Sequence, residues 1–155
     1  MFKYELSAKY NIAETCCASI SIDELVDLSE NKSAKTSDIL DTSKVQGYGE
    51  INGSSELRQN LSRLYSSKTG TPLPPDNILV TPGAISANTT TLMALVGRGD
   101  HVICHYPTYQ QLYSVPESLG AEVSLWKSKA ENKWLPDFDE LKTMVKDTTK
   151  LIILK

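Results

Sequence analysis

A short apolar run, Ile78-Leu-Val80, turns at Thr81-Pro-Gly83 and passes into small and apolar residues at helical spacing as far as Val96. No other stretch restricts the fold as much. The pattern predicts a strand over 78–81 and a helix behind it, with Ala87, Met93, Ala94 and Val96 on one broad buried face. A strand, a tight turn and a helix entered through glycine leave the first-turn N–H groups without partners, at the positive end of the helix dipole. Such a mouth suits an anion, and a phosphate above all. Gly83 lets backbone and ligand approach closely, and Ser86 and Asn88 are placed to add side-chain donors. The same turn is also an ordinary connection in an α/β domain, and one glycine does not decide between the two.

The chain has 155 residues, 40% of them hydrophobic, and a net charge of -3. That is enough for one ordinary domain with a real core. So mild an acidic balance gives no reason to expect nucleic acid as a partner. No apolar run approaches the roughly 18 residues that span a bilayer. Met1-Phe-Lys-Tyr-Glu-Leu6 lacks the apolar segment of a secretory signal, so a cytoplasmic protein is expected. Cys16, Cys17 and Cys104 are odd in number, two are adjacent, and no C-x-x-C occurs. Neither a disulfide framework nor a zinc site is expected, and a reducing compartment fits. His101 and His105 flank Val102-Ile-Cys104 and read as strand residues rather than metal ligands.

Residues 1–28 read as helical, most clearly at 22–28, where Ser21 is the N-cap, Asp23 and Glu24 sit in the first turn and Leu25, Val26 and Leu28 form an apolar face. Residues 29–47 are polar and read as an exposed loop with one turn around Asp38-Ile-Leu40. Residues 1–47 therefore form an N-terminal segment, helix plus loop, and 48–155 a separate domain. There, Ser54 or Ser55 caps an amphipathic helix with Leu57, Leu61, Leu64 and Tyr65 on one face, ended by Lys68-Thr-Gly-Thr-Pro72. Beyond Gly97-Arg-Gly-Asp100 come a strand at 102–105, a helix at 109–119 stopped by Gly120, and a strand at 122–126. A helix at 137–146 with Phe138, Leu141 and Val145 on one side and a strand at 151–154 complete the series. Strands alternating with helices of about ten residues argue a parallel sheet with helical crossovers. Open parallel sheets hold ligands beyond the carboxyl ends of their strands, yet only Lys155 follows the last strand. The chain reads as the front part of something larger, or one piece of a split protein.

Several separated pieces act together. Tyr48 and Gly53 precede Glu56-Leu-Arg58. Thr81-Pro-Gly-Ala-Ile-Ser-Ala87 follows, then Gly99-Asp-His-Val-Ile-Cys-His-Tyr-Pro-Thr-Tyr109 and Gly120-Ala-Glu-Val123. In this order and spacing the chain resembles the class I/II aminotransferases, the pyridoxal-phosphate enzymes of fold type I, over about residues 20–155. The resemblance implies a three-layer α/β/α large domain with a mostly parallel seven-stranded sheet, of which this chain carries the front part. It matches the backbone N–H groups of Gly83, Ala84 and Ile85 to the phosphate cup of pyridoxal 5'-phosphate. Tyr109 matches the aromatic residue that stacks on the pyridine ring, a role suited to a flat phenol; without the resemblance it would read as a core aromatic at a helix start. Tyr48 matches the tyrosine whose hydroxyl reaches the phosphate of the neighbouring subunit, which would share the site across a homodimer; otherwise it is a tyrosine in a turn. Arg58 reads as a helix surface charge or a dimer contact.

The family's lysine that binds the cofactor covalently, its aspartate at the pyridine nitrogen and its arginine for the substrate carboxylate all lie beyond the strand at 151–154. So does its Asn-Pro-x-x-Pro loop. Lys127 and Lys150 do not occupy the matching place, so no catalytic residue is assigned. The activity implied is amino-group transfer between an amino acid and a 2-oxo acid, with this chain alone inactive. A non-catalytic fragment, a subunit of a split enzyme, or a lyase or cyclase on the same scaffold remain open. The family topology also sets the strand at 78–81 apart from the other three, with three strands between it and the strand at 151–154, roughly 19 Å away. Alone, the chain is then expected to fold poorly or to leave an open slot. A nucleotide-binding Rossmann-like module would need a G-x-G-x-x-G turn and an acid ending the next strand, and an ATP-binding P-loop would need G-x-x-x-x-G-K. All are missing.

Overall fold

Three parallel strands, β1 (His101–Tyr106), β2 (Glu122–Lys127) and β3 (Thr149–Ile153), form one sheet in the order β2-β1-β3. The computed structural model describes residues 7–10, 17–45 and 47–155. These fall into two compact units, Met1–Tyr48 and Gly49–Lys155. The first holds α1 (Ile22–Asp27) and the short α2 (Thr36–Ile39). The second holds the sheet together with α3 (Ser55–Thr69), α4 (Gly83–Leu95), α5 (Gln111–Ser118) and α6 (Phe138–Met144).

In the first unit the sequence signals act locally. Ser21 Oγ accepts the Glu24 N–H at 3.1 Å while the Glu24 carboxylate accepts the Ser21 N–H at 2.6 Å, a reciprocal capping box. These bonds from Ser21 hold the Glu24 carboxyl below its ordinary range. The turn expected around Asp38 is α2, tied to α1 by the Thr36 hydroxyl donating to Asp23 at 2.9 Å. The helical reading of residues 1–21 falls partly outside the described residues; 7–10 and 17–20 are not helical.

In the second unit β1 lies in the centre, and Val102, Ile103 and Cys104 are fully buried. A continuous apolar run is what a parallel strand covered on both faces requires. On one face Leu92 and Val96 of α4 pack with Val102, joined by Val115 and Leu119 from α5 and its end, and by Val123, Leu151 and Ile153. On the other face Trp126 meets Phe138 of α6 edge-on, and its ring N–H donates to the Asp137 carbonyl at 2.8 Å. Both histidines lie in β1. His101 is completely buried, and its ring nitrogens contact Thr149 Oγ1 of β3 at 2.8 Å and Ser124 Oγ of β2 at 2.9 Å, pinning all three strands at their amino ends. His105 contacts Ser128 Oγ at 2.7 Å.

Three expectations are corrected. The inward face of α4 is set by Leu92 and Val96, one helical turn apart, while Met93 is 64% exposed. Residues 78–80 are not a strand of the sheet. They are held by a bond from the Val80 N–H to the Asn52 carbonyl at 3.0 Å. Finally, Leu57, Leu64 and Tyr65 of α3 are exposed, and the helix is fastened by polar side chains on another face. Arg58 donates to the carbonyls of Gly53 and Pro75, both at 3.1 Å. The Ser62 hydroxyl donates to the Leu73 carbonyl at 2.6 Å, and Ser66 Oγ accepts the Leu73 N–H at 2.9 Å.

Candidate functional site

Pro82 is the N-cap of α4 and offers no side-chain acceptor to the N–H groups behind it. Gly83, with φ +80, opens the helix, and no atom lies within 4 Å of the place a Cβ would take. Gly83, Ala84 and Ile85 are all exposed. Their amides therefore meet open space rather than apolar packing. In front lies a cavity of about 390 Å³ whose walls include Ala84, Ile85, Asn88, Tyr109, Ile153 and Lys155. It sits at the carboxyl ends of β1 and β3, where open α/β sheets place their ligands.

Tyr109 follows β1 and is 43% exposed, so it is a wall of the cavity rather than a core aromatic. Lys155 Nζ stands 5.6 Å from its ring centroid. A helix mouth and an ammonium on one cavity give it a positive potential, and a ring at its edge gives it a flat apolar surface. That combination suits an aromatic phosphate ester. Tyr48 closes the first unit, fully exposed.

Two donors expected to face the anion are engaged inside the protein. The Ser86 hydroxyl donates to the Pro82 carbonyl at 2.9 Å, and the Asn88 amide donates to Gln111 Oε1 at 3.2 Å. Arg58 is no surface charge. Its side chain is 12% exposed, bound to the two carbonyls named above and near Asp76 at 3.3 Å and Glu50 at 3.8 Å. Glu50 accepts from the Ser55 hydroxyl and N–H, and these bonds, with Arg58, hold its carboxyl below the ordinary range. The Cys104 thiol is pushed up to about 11 by burial, which leaves it protonated and unreactive near neutrality. Gln111 and Lys155 were not singled out from the sequence; neither belongs to a recognisable signature, and only their contacts reveal them.

A parallel α/β sheet with an open helix mouth and an aromatic wall at its carboxyl edge defines a cofactor-binding α/β domain. The family model for aminotransferase class I and II matches residues 22–155. A probable aspartate aminotransferase of Methanocaldococcus jannaschii is 29% identical over 145 residues, covering 93% of this chain and 38% of that protein. Tyrosine aminotransferase of Mus musculus is 25% identical over 117 residues, covering 76% of this chain and 26% of that protein. Among solved structures, a PLP-dependent aminotransferase from Streptococcus suis 89-1591 superposes with a TM-score of 0.75 at 41% identity, covering 87% of this chain and 34% of that one.

The chain belongs to the class I and II aminotransferase family. Its fold is an incomplete form of the family's three-layer α/β/α domain, and pyridoxal 5'-phosphate is the family's cofactor. The chain spans about a third of the length of these relatives, between 26% and 38%. The residues present fit the cofactor: free first-turn amides for its phosphate, a phenol face for its ring, and a cavity joining the two. Among the described residues no helix is long and apolar enough to cross a membrane.

Proposed function

We propose that this chain supplies the phosphate-binding and ring-stacking half of a pyridoxal-phosphate site in an aminotransferase that moves an amino group between an amino acid and a 2-oxo acid. The observation that carries the reading is the cavity shared by the mouth of α4 and Tyr109. In this reading the N–H groups of Gly83, Ala84 and Ile85 hold the phosphate, and Tyr109 fixes the plane of the ring. Tyr48 reaches the phosphate of a neighbouring subunit in a homodimer. Residues 1–47 are an N-terminal segment, and 48–155 are part of the large domain. A cytoplasmic setting accords with the cysteine usage.

The bound cofactor supplies an electron sink for the α-carbon of the amino substrate. This chain's residues bind and orient it, and Leu92 and Val96 fasten the far end of α4 to the sheet. No residue from 1 to 155 is assigned to anchor the cofactor covalently or to grip the substrate, so binding and orientation, not turnover, are ascribed to these residues.

Equilibrium dialysis with pyridoxal phosphate tests the reading. The wild-type chain is expected to bind it reversibly. Tyr109→Ala is expected to weaken that binding about tenfold, the upper range for an aromatic pair, while leaving inorganic phosphate affinity unchanged. A wild-type chain that binds neither, or a Tyr109→Ala variant with unaltered affinity for the cofactor, overturns it.

A further inference from the structure

We infer that Gln111 is a positioning residue that sets the spacing between the phosphate-binding mouth of α4 and the ring-stacking face of Tyr109. The inference rests on the cofactor reading above and adds to it a residue that reading does not use. Gln111 opens α5, two residues beyond Tyr109. Its Nε2 donates to the Ile85 carbonyl at 2.7 Å and to Thr89 Oγ1 at 2.8 Å. Its Oε1 accepts from Asn88 Nδ2 at 3.2 Å. Thr89 Oγ1 in turn donates to the same Ile85 carbonyl at 2.8 Å. One amide therefore grips three residues in the first two turns of α4, and one of them, Ile85, belongs to the phosphate mouth.

The chemistry of the contact matters. Apolar side chains between two helices tolerate sliding by a fraction of an ångström, because their attraction is short-ranged but not directional. An amide with two donor bonds and one acceptor bond does not, since hydrogen bonds weaken steeply as they bend. Gln111 thus ties the mouth to the helix that begins just after Tyr109. Mouth and ring wall sit on different elements, α4 and the loop after β1, and the Gln111 side chain joins α5 to the first turns of α4 at three points. A ligand that touches only the mouth is indifferent to this spacing. A ligand that touches mouth and Tyr109 together depends on it, and small misplacements of such paired contacts are costly.

Two variants and two probes separate this role from packing. Gln111→Met keeps the length and bulk and removes every hydrogen bond. Gln111→Glu keeps the shape and an acceptor and removes both Nε2 donors. Inorganic phosphate reports the mouth alone, and pyridoxal phosphate reports mouth and ring wall together. Both variants are expected to bind inorganic phosphate within about twofold of wild type and pyridoxal phosphate about tenfold more weakly. In a Tyr109→Ala background Gln111→Met is expected to change pyridoxal phosphate affinity by less than about twofold, because spacing is irrelevant once the ring wall is gone. Unchanged pyridoxal phosphate affinity in both variants overturns the inference, as does a parallel loss for both probes. If wild type binds neither probe, the cofactor reading falls and this inference with it; if wild type binds both and the variants match it, only the role of Gln111 falls.

Discussion

At Gly53 the backbone stands at φ +91, and a methyl group there would lie 2.5 Å from Val80 Cβ and Cγ2. The turn at Glu50–Gly53 is thereby pressed against the segment that leads into α4, with the Val80 N–H bonded to the Asn52 carbonyl. Alanine at this position is strained by its left-handed backbone and clashes with a branched side chain. Gly53→Ala is expected to cost about 1–3 kcal/mol, read as a lower denaturation midpoint; an unchanged midpoint would show that the turn is not packed as described. At this scale the sequence offered candidates for the site, and the structure sets three of them, Ala84, Ile85 and Tyr109, on one cavity. Gly83 and the Tyr106-Pro-Thr-Tyr109 motif announce themselves by residue type. The direction of Ser86 and Asn88 was not legible, because a helical hydroxyl can satisfy itself on the carbonyl one turn back. Gln111 was beyond reach for a simpler reason: its partners lie 22 to 26 positions away in the chain.

Helix α3 shows how an element can be read correctly and placed wrongly. Its caps, Ser54 and Gly70, follow from local chemistry. Its apolar stripe suggests the packed face, yet Arg58, Ser62 and Ser66 hold it to the returning segment at 73–76. Arg58 matters through the carbonyls it satisfies. Asp76, its ionic partner, is 95% exposed, so that pair adds little. Arg58→Ala is expected to destabilise by about 1–3 kcal/mol, whereas Asp76→Asn stays within about 0.5 kcal/mol of wild type in the same urea titration. Equal losses from both would assign the effect to charge instead of to carbonyl bonding. The extended run 78–80 failed as a strand for the converse reason. Strand character is confirmed by a neighbour, and none of the three strands pairs with it.

For the molecule as a whole, alternation of strand and helix was enough to set a parallel sheet with helical crossovers, because no short connection can join parallel neighbours. Strand order was not written in that alternation. β1 takes the centre because its apolar run tolerates cover on both faces, and β3, with alternating burial, takes an edge. Beside β3 runs a groove of about 280 Å³ lined by Leu92, Leu112, Leu151 and Ile153 among others. Ile152 and Leu154 are exposed there, and among the described residues the outer edge of β3 has no partner strand. An unprotected edge of this kind is prone to pair with other chains.

The amide resonances of Gly83, Ala84 and Ile85, followed by nitrogen–proton correlation spectra while pyridoxal phosphate is titrated in, test the central claim most directly. All three are expected to move downfield and saturate together, with Tyr109 ring protons shifting at the same ligand concentration. Binding that leaves those three amides in place while others move would put the phosphate elsewhere and contradict the account.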